Sequence, residues 1–221
     1  MDGVSSAEIQ LHLDKLDEKW TKQYSNFDYV CCIAGGKWFL KAAIYHENDM
    51  VTGCHYCPGK NLTELGFDYA YSKALLLIFN FIVHSDHKAS VFFRTTTPDY
   101  FENGELFSGG TCNRSVPFKE GEVDMRDVDT IMHNIELEEL DKATSLGSGK
   151  GVSLKLLDMT RLSLLRPDGH PGPYRQFQPF AEDKNANGQN DWLHWCLTGP
   201  IDSWNDLNLM IEKIVNGGKY R

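Results

Sequence analysis

The 221-residue chain is long enough to bury a continuous core and makes one large domain or two small ones. Its 22 basic and 31 acidic residues leave a formal charge of −9 with no dense Lys/Arg run. That balance excludes the basic footprint that nucleic acid or an anionic membrane requires. The first ten residues are polar and acidic, without the apolar stretch of a signal peptide. The longest apolar run, residues 74–83, is interrupted by Asn80 and is too short to span a bilayer. Six cysteines, Cys31, Cys32, Cys54, Cys57, Cys112 and Cys196, are too few for a disulfide scaffold at this length. Asn61-Leu62-Thr63 and Asn113-Arg114-Ser115 are glycosylation triplets usable only in a secretory lumen, so the redox compartment stays open.

Residues 6–20 read as a helix, with Ile9, Leu11, Leu13, Leu16 and Trp20 near helical spacing and Ser5 or Ser6 as its cap. Residues 27–34 form an apolar run of strand formers broken by Gly35-Gly36, and residues 50–54 a short strand. A broad apolar face (Tyr69, Ala70, Ala74, Leu75, Ile78, Phe79, Ile82) marks residues 65–83 as the strongest helix. Residues 90–95 are a strand, 96–124 a turn-rich segment, and about 130–144 a helix. Residues 152–157 are a third convincing strand, 159–165 a short helix, and 201–215 a closing helix after a polar loop at 166–190. Strands separated by helices of this length predict a parallel α/β architecture with a narrow sheet.

The densest chemistry lies in Asp191-Trp192-Leu193-His194-Trp195-Cys196, followed by a run to Trp204 that brings three of the five tryptophans together. An imidazole with a carboxylate to fix its tautomer is what triad chemistry needs, and Asp191 and His194 offer both. The plainer reading of the same residues is a turn-capping Asp191 and a packed core histidine. Cys54-His55-Tyr56-Cys57 has the spacing of half a zinc knuckle, but no second pair follows, which favours a local disulfide or structural cysteines. Gly35-Gly36 and Ser108-Gly109-Gly110 are turns whose N–H groups could face an acyl oxygen. Arg94, ending an apolar strand, suits a substrate oxygen or a surface ion pair. No Gly-x-Ser-x-Gly elbow and no Gly-Asp-Ser triplet occur.

Taken together, the ordered motifs resemble the C-terminal part of the plant trichome birefringence-like (PC-esterase) polysaccharide O-acetyltransferase family, nearest its xyloglucan branch. They include Gly53-Cys54-His55-Tyr56-Cys57, Phe93-Arg94-Thr95, Phe101-Glu102-Asn103-Gly104-Glu105, Ser108-Gly109-Gly110-Thr111-Cys112, Leu165-Arg166-Pro167-Asp168-Gly169-His170-Pro171 and His194-Trp195-Cys196-Leu197. The resemblance implies an SGNH-like three-layer α/β/α fold with a mainly parallel sheet, spanning residues 1–221 as one domain truncated at its N-terminal side. It implies Asp191 and His194 as catalytic residues, and Arg94, Gly36, Lys37 and Trp195 as substrate-binding ones. No metal and no cofactor is implied, only an acetyl donor such as acetyl-CoA as co-substrate and a polysaccharide acceptor. The setting it implies is the Golgi, although no targeting or transmembrane segment is read in these residues.

By the same resemblance the chain begins after the membrane anchor, cysteine-rich region and Gly-Asp-Ser nucleophile segment. Trp192 stands where the family has a cysteine, leaving Cys112 unpaired, and Cys196 would pair with a cysteine upstream. Lys37, Tyr100, Leu106 and Thr198 are further departures on substrate-side loops. Three readings follow: a truncated acetyltransferase inactive alone, a non-catalytic carbohydrate-binding or interaction protein, and a carbohydrate acetyl esterase. A sheet missing nucleophile-side strands would expose an edge, so marginal stability or aggregation is expected.

Overall fold

A computed structural model describes residues 9–33, 36–102, 104, 110–112, 114–184 and 190–215. The cap at Ser5 or Ser6, Gly35, the Ser108-Gly109 turn, Leu106 and Asn113 lie outside them. The chain forms two compact units, one from Met1–Thr96 with Asp127–Leu157, the other from Thr97–Arg126 with Asp158–Arg221.

The first unit opens with a correction. The segment read as a helix from residue 6 is instead strand β1 (Ile9–His12), and the helix after it, α1 (Glu18–Gln23), is only one and a half turns. Ile9, Leu11 and Leu13 recur every second residue, a strand period that the later Leu16 and Trp20 disguised as helical. Asp17 then caps α1 by accepting a hydrogen bond from Lys19 N at 2.7 Å.

Strand β1 pairs in parallel with β3 (Ala43–Glu47), which pairs antiparallel with β4 (Met50–His55). Asn48 and Asn48's neighbour Asp49, at φ 53° and 61°, make the two-residue hairpin loop that joins them. The second sheet has the order β2-β5-β6, built from Tyr29–Ile33, Ser90–Arg94 and Ser153–Leu157, and is parallel throughout. The parallel sheet expected from the sequence is therefore present, and a second, mixed sheet accompanies it.

Helix α2 (Gly66–His84) and helix α3 (Asp127–Gly147) supply the apolar cover. Tyr71, Leu75, Phe79, Ile82 and Val83 from α2 join Val91 and Phe93 of β5 and Met132, Leu140 and Ala143 of α3 in one core. Among the described residues α2 alone is long and apolar enough to cross a membrane by length and composition. Five of its six buried side chains are in this core, and the sixth, Ala70, packs with Leu13, Ala43 and Tyr45; such packing requires an apolar face as much as a bilayer does.

Of the buried acidic side chains of α3, Glu136 is the one sealed most completely. Glu136 of α3 is fully buried and accepts from Thr96 N at 2.9 Å, Thr96 Oγ1 at 2.5 Å and Tyr71 hydroxyl at 2.5 Å. Burial pushes its carboxyl above the ordinary value, against the pull of the Thr96 and Tyr71 donors.

The second unit is mostly loop around two helices, α4 (Thr160–Leu164) and α5 (Pro200–Val215). Tyr100, Cys112, Leu164 and Trp192 form its small core with Phe101, Phe118 and Trp195 packed against them. Tyr100, expected on a substrate-side loop, is 9% exposed, and its hydroxyl donates to the Leu164 and Ser163 carbonyls. Its own N–H donates to Trp192 O at 2.9 Å, tying the 97–126 segment to the 190s.

Glu136→Ala should lower unfolding free energy by about 2–4 kcal/mol, because it strands buried donors of Thr96 and Tyr71. The wild-type advantage should shrink as pH rises. A carboxyl whose folded pKa is raised stabilises below its unfolded value, and that component is lost as pH climbs through the folded one. Urea melts of both proteins at pH 4.5 and 8 measure the difference.

Candidate functional site

Asp191 sits where two strands of loop meet. Its N–H donates to Gly172 O and its carbonyl accepts from Gly172 N, both at 2.9 Å, as an isolated antiparallel bridge. From there the backbone turns back on the Asp191 side chain, whose Oδ1 accepts from Leu193 N at 3.1 Å and His194 N at 2.9 Å. This is the turn that an aspartate side chain favours by bonding its own downstream backbone. The same turn brings the His194 ring onto the carboxylate, with Nδ1 2.8 Å from Oδ2 and 3.1 Å from Oδ1. The three-residue spacing thus works through a loop, not a helical face.

Both halves of the plainer reading can now be checked. Asp191 does cap the turn, but it also holds the imidazole. His194 is no packed core residue, since its side chain is 58% exposed. A carboxylate on Nδ1 fixes that nitrogen as the N–H, which leaves Nε2 as the lone pair. Among the described residues nothing hydrogen-bonds Nε2, and it is open to receive a proton from an incoming hydroxyl.

The carboxylate itself is wholly buried. Burial works to raise its proton affinity, but the His194 and Leu193 N–H groups and the His194 ring outweigh it and hold the carboxyl below its ordinary value. Arg175 adds a further donor, Nη1 to Oδ2 at 2.8 Å. Sixteen residues separate that pair, and the Gly172–Asp191 bridge brings their segments together.

Behind this pair lies His170. Its Nδ1 donates to the His194 carbonyl at 2.8 Å, and its ring packs at a tilt against Trp195, 4.0 Å between centroids. The Trp195 ring is held in turn edge-on to Trp204 at 5.1 Å. Gly169 makes this packing possible, because a Cβ there would lie 2.4 Å from Pro200 and 3.1 Å from the Trp195 ring. Trp195 thus braces His170 from within the wall.

The remaining sequence candidates belong to the first unit. Arg94 ends β5 in register with Ile33 and Leu157, at the carboxyl ends of the parallel strands, where open α/β sheets bind ligands. It is half-buried, and burial lowers its pKa against the opposing pull of Cys31 and Glu136. Gly36 lies beside the same strand end, with φ of +50° and room for a Cβ only 3.3 Å from the Thr96 methyl. Lys37 is occupied: its ammonium lies 2.5 Å from the carboxylate of buried Asp129 in the first turn of α3.

A family model described as a GDSL/SGNH-like acyl-esterase family found in Pmr5 and Cas1p, PC-Esterase, matches residues 2–211. The chain belongs to the PC-esterase family. Among its relatives, Protein trichome birefringence-like 26 of Arabidopsis thaliana is 60% identical over 96% of this chain and 48% of its own length. Protein trichome birefringence-like 25 of the same plant is 58% identical over 100% of this chain and 49% of its own. Xyloglucan O-acetyltransferase 1 of Populus trichocarpa is 40% identical over 92% and 48%. The chain spans about half the length of the curated relatives it matches.

Two residues beside the Asp191–His194 pair escaped sequence reasoning. His170 stood inside a quoted motif, and its role shows only once the loop folds behind His194. Arg175 carries no spacing signal at all.

His170 generates a pH prediction. Burial pushes its pKa down to about 4 from 6.5, with the His194 carbonyl opposing, and its Nε2 is buried without a partner among the described residues. The unfolded chain therefore takes up a proton below pH 6.5 that the folded chain refuses until about pH 4. Stability from this residue should be complete above pH 6.5 and fall by on the order of 3 kcal/mol by pH 4. His170→Phe, which keeps a ring against Trp195, should flatten the denaturation midpoint over that window.

Proposed function

We propose that the chain carries the base-and-orienter half of a polysaccharide O-acetyltransferase active site, with Asp191 and His194 as catalytic residues. The observation that carries this reading is the His194 ring anchored through Nδ1 on a buried carboxylate with Nε2 open to solvent. In such a site Nε2 takes the proton of a serine hydroxyl as the hydroxyl oxygen attacks the acetyl donor. The protonated ring then gives that proton to the leaving group. A sugar hydroxyl repeats the sequence, releasing the acetyl group from serine to the polysaccharide. Asp191 keeps the tautomer and stabilises the imidazolium, and Arg175 keeps Asp191 in place. The acetyl donor, such as acetyl-CoA, is a co-substrate, and no cofactor or metal enters these steps.

Xyloglucan or another hemicellulose is the acceptor on this reading, supported by the names of the Populus and Arabidopsis xyloglucan O-acetyltransferases among the relatives. The reaction would run in the Golgi. The family match, which runs through both units, supports treating residues 1–221 as a single three-layer α/β/α domain. Arg94 and Gly36, at the carboxyl ends of the parallel strands, are the substrate-binding candidates of the first unit. Trp195 acts on this reading by bracing His170, and Lys37 by holding α3 through Asp129.

Two other readings use particular observations. Tyr174 at 70% and Phe177 at 91% exposure, on the loop that carries Arg175, suit stacking on a sugar face and favour carbohydrate binding without catalysis. The acyl-esterase description of the family favours acetyl transfer to water by the same pair.

Intact-mass spectrometry after incubation with an activated acetyl ester, run beside His194→Ala, tests the assignment. Alone, this chain should show no stoichiometric serine acetylation, because no serine meets His194 among the described residues. A product that includes a nucleophile segment should acetylate once and transfer to a xyloglucan oligosaccharide, with Asp191→Asn and His194→Ala each slowing it by about 10³-fold or more. Serine acetylation of this chain that vanishes in His194→Ala would reveal a nucleophile within it. Release to water in preference to sugar would make the enzyme an esterase.

A further inference from the structure

The Cys54-His55-Tyr56-Cys57 segment takes no part in the acetyl-transfer reading. It ends β4, and its two cysteines form a disulfide. The sequence offers no second cysteine pair to complete a metal site, but the fold supplies a different third donor. Glu64, ten residues after Cys54, turns its carboxylate onto both sulfurs, with Oε2 4.0 Å from Cys54 Sγ and 3.9 Å from Cys57 Sγ.

We propose that reduction of the disulfide turns Cys54, Cys57 and Glu64 into a binding site for Zn²⁺. The three donor atoms lie within 4.8 Å of one another. A tetrahedral zinc with sulfur at about 2.3 Å and carboxylate oxygen at about 2.0 Å needs sulfur–oxygen separations of about 3.5 Å. A shift of a few tenths of an ångström at Glu64 achieves that, and the two sulfurs, bonded in the oxidised chain, must separate to about 3.8 Å once reduced. Two thiolates and a carboxylate bring three negative charges, a donor set that a borderline-soft dication fits and that water alone cannot neutralise.

The carboxylate is already oriented for the task. Its Oε1 accepts from Tyr56 N at 2.9 Å and lies 3.1 Å from His55 Nδ1, which leaves Oε2 facing the sulfurs. Outer groups that fix a ligand in this way are a regular part of metal sites. The frame also stands without the disulfide: Cys54 N donates to Thr63 O at 3.0 Å, and Leu65 N donates to Cys54 O at 2.9 Å. Opening the S–S bond therefore releases only a two-residue loop, within which Tyr56 has φ of +49°.

The chemistry balances. A dithiol reductant converts its two S–H groups into one S–S bond, and Cys54 and Cys57 each gain a hydrogen. Zn²⁺ then displaces both thiol protons to solvent, forming two Zn–S bonds, with Glu64 Oε2 as third ligand and water as fourth.

Cobalt(II) titration of the full chain tests this, after reduction with dithiothreitol and anaerobic removal of the reductant. The reduced protein should develop a thiolate-to-cobalt charge-transfer band that saturates at one equivalent and is abolished by one equivalent of zinc. Cys57→Ser should abolish the band, and Glu64→Gln should weaken binding at least tenfold. A Cys31→Ser/Cys32→Ser variant should keep the band, and the oxidised protein should show none. Circular dichroism of each sample verifies that the fold persists. No one-equivalent band in the folded, reduced protein would overturn the proposal. So would a band that survives Cys57→Ser, disappears in the Cys31/Cys32 variant, or forms equally in the oxidised chain. Loss of the fold on reduction would overturn it as well.

Discussion

Removing a carboxylate from water costs several kilocalories per mole unless donors surround it, and the 191–194 loop is folded around that requirement. Asp191 collects two backbone N–H groups, an imidazole and a guanidinium. Each donor fixes something else in return. The backbone pair sets the turn, the imidazole acquires a single tautomer, and Arg175 binds the 173–175 segment to the turn. His170 and Trp195 complete the arrangement from behind by holding the His194 carbonyl. An imidazole at 58% exposure is thereby positioned by a wholly buried carboxylate and a buried histidine.

The first unit shows the same economy with a different buried acid. Glu136 holds the backbone immediately after β5 by accepting both the N–H and the hydroxyl of Thr96, and Tyr71 of α2 shares the same oxygen. The strand end that carries Arg94, and the close approach of Gly36 to Thr96, therefore rest on a residue from α3 that lies forty positions away in the chain. Hydrogen bonds to one carboxylate link strand, helix and loop there.

Elements with a strong, unbroken period were legible in the sequence. Helix α2, the three parallel strands and the closing helix fall within a few residues of their expected places. Of the mixed sheet only β4, expected at residues 50–54, was legible, for a definite reason. Strand β1 is four residues long and its alternation merges with Leu16 and Trp20, while β3 is recognisable only through the Asn48-Asp49 loop that follows it. Asp191 and His194 were legible because their partnership is local, three residues apart. His170 and Arg175 depend on a loop pairing through Gly172 that no periodicity announces. The Lys37–Asp129 pair spans ninety-two residues, and nothing local announces it. Legibility followed sequence separation more than importance.

The two units are threaded through each other along the chain: residues 97–126 of the second are interposed between β5 and α3 of the first. No single cut in the polypeptide can therefore release either unit whole. Stopping after residue 96 deprives the first of α3 and β6, and starting at residue 158 deprives the second of the segment holding Tyr100 and Cys112. On a ribosome, Glu136 reaches Thr96 and Tyr71 only after the intervening thirty residues of the other unit have emerged. Neither half can be inherited, expressed or lost as an independent module, and fragments meant to isolate the Asp191–His194 loop must carry both crossings.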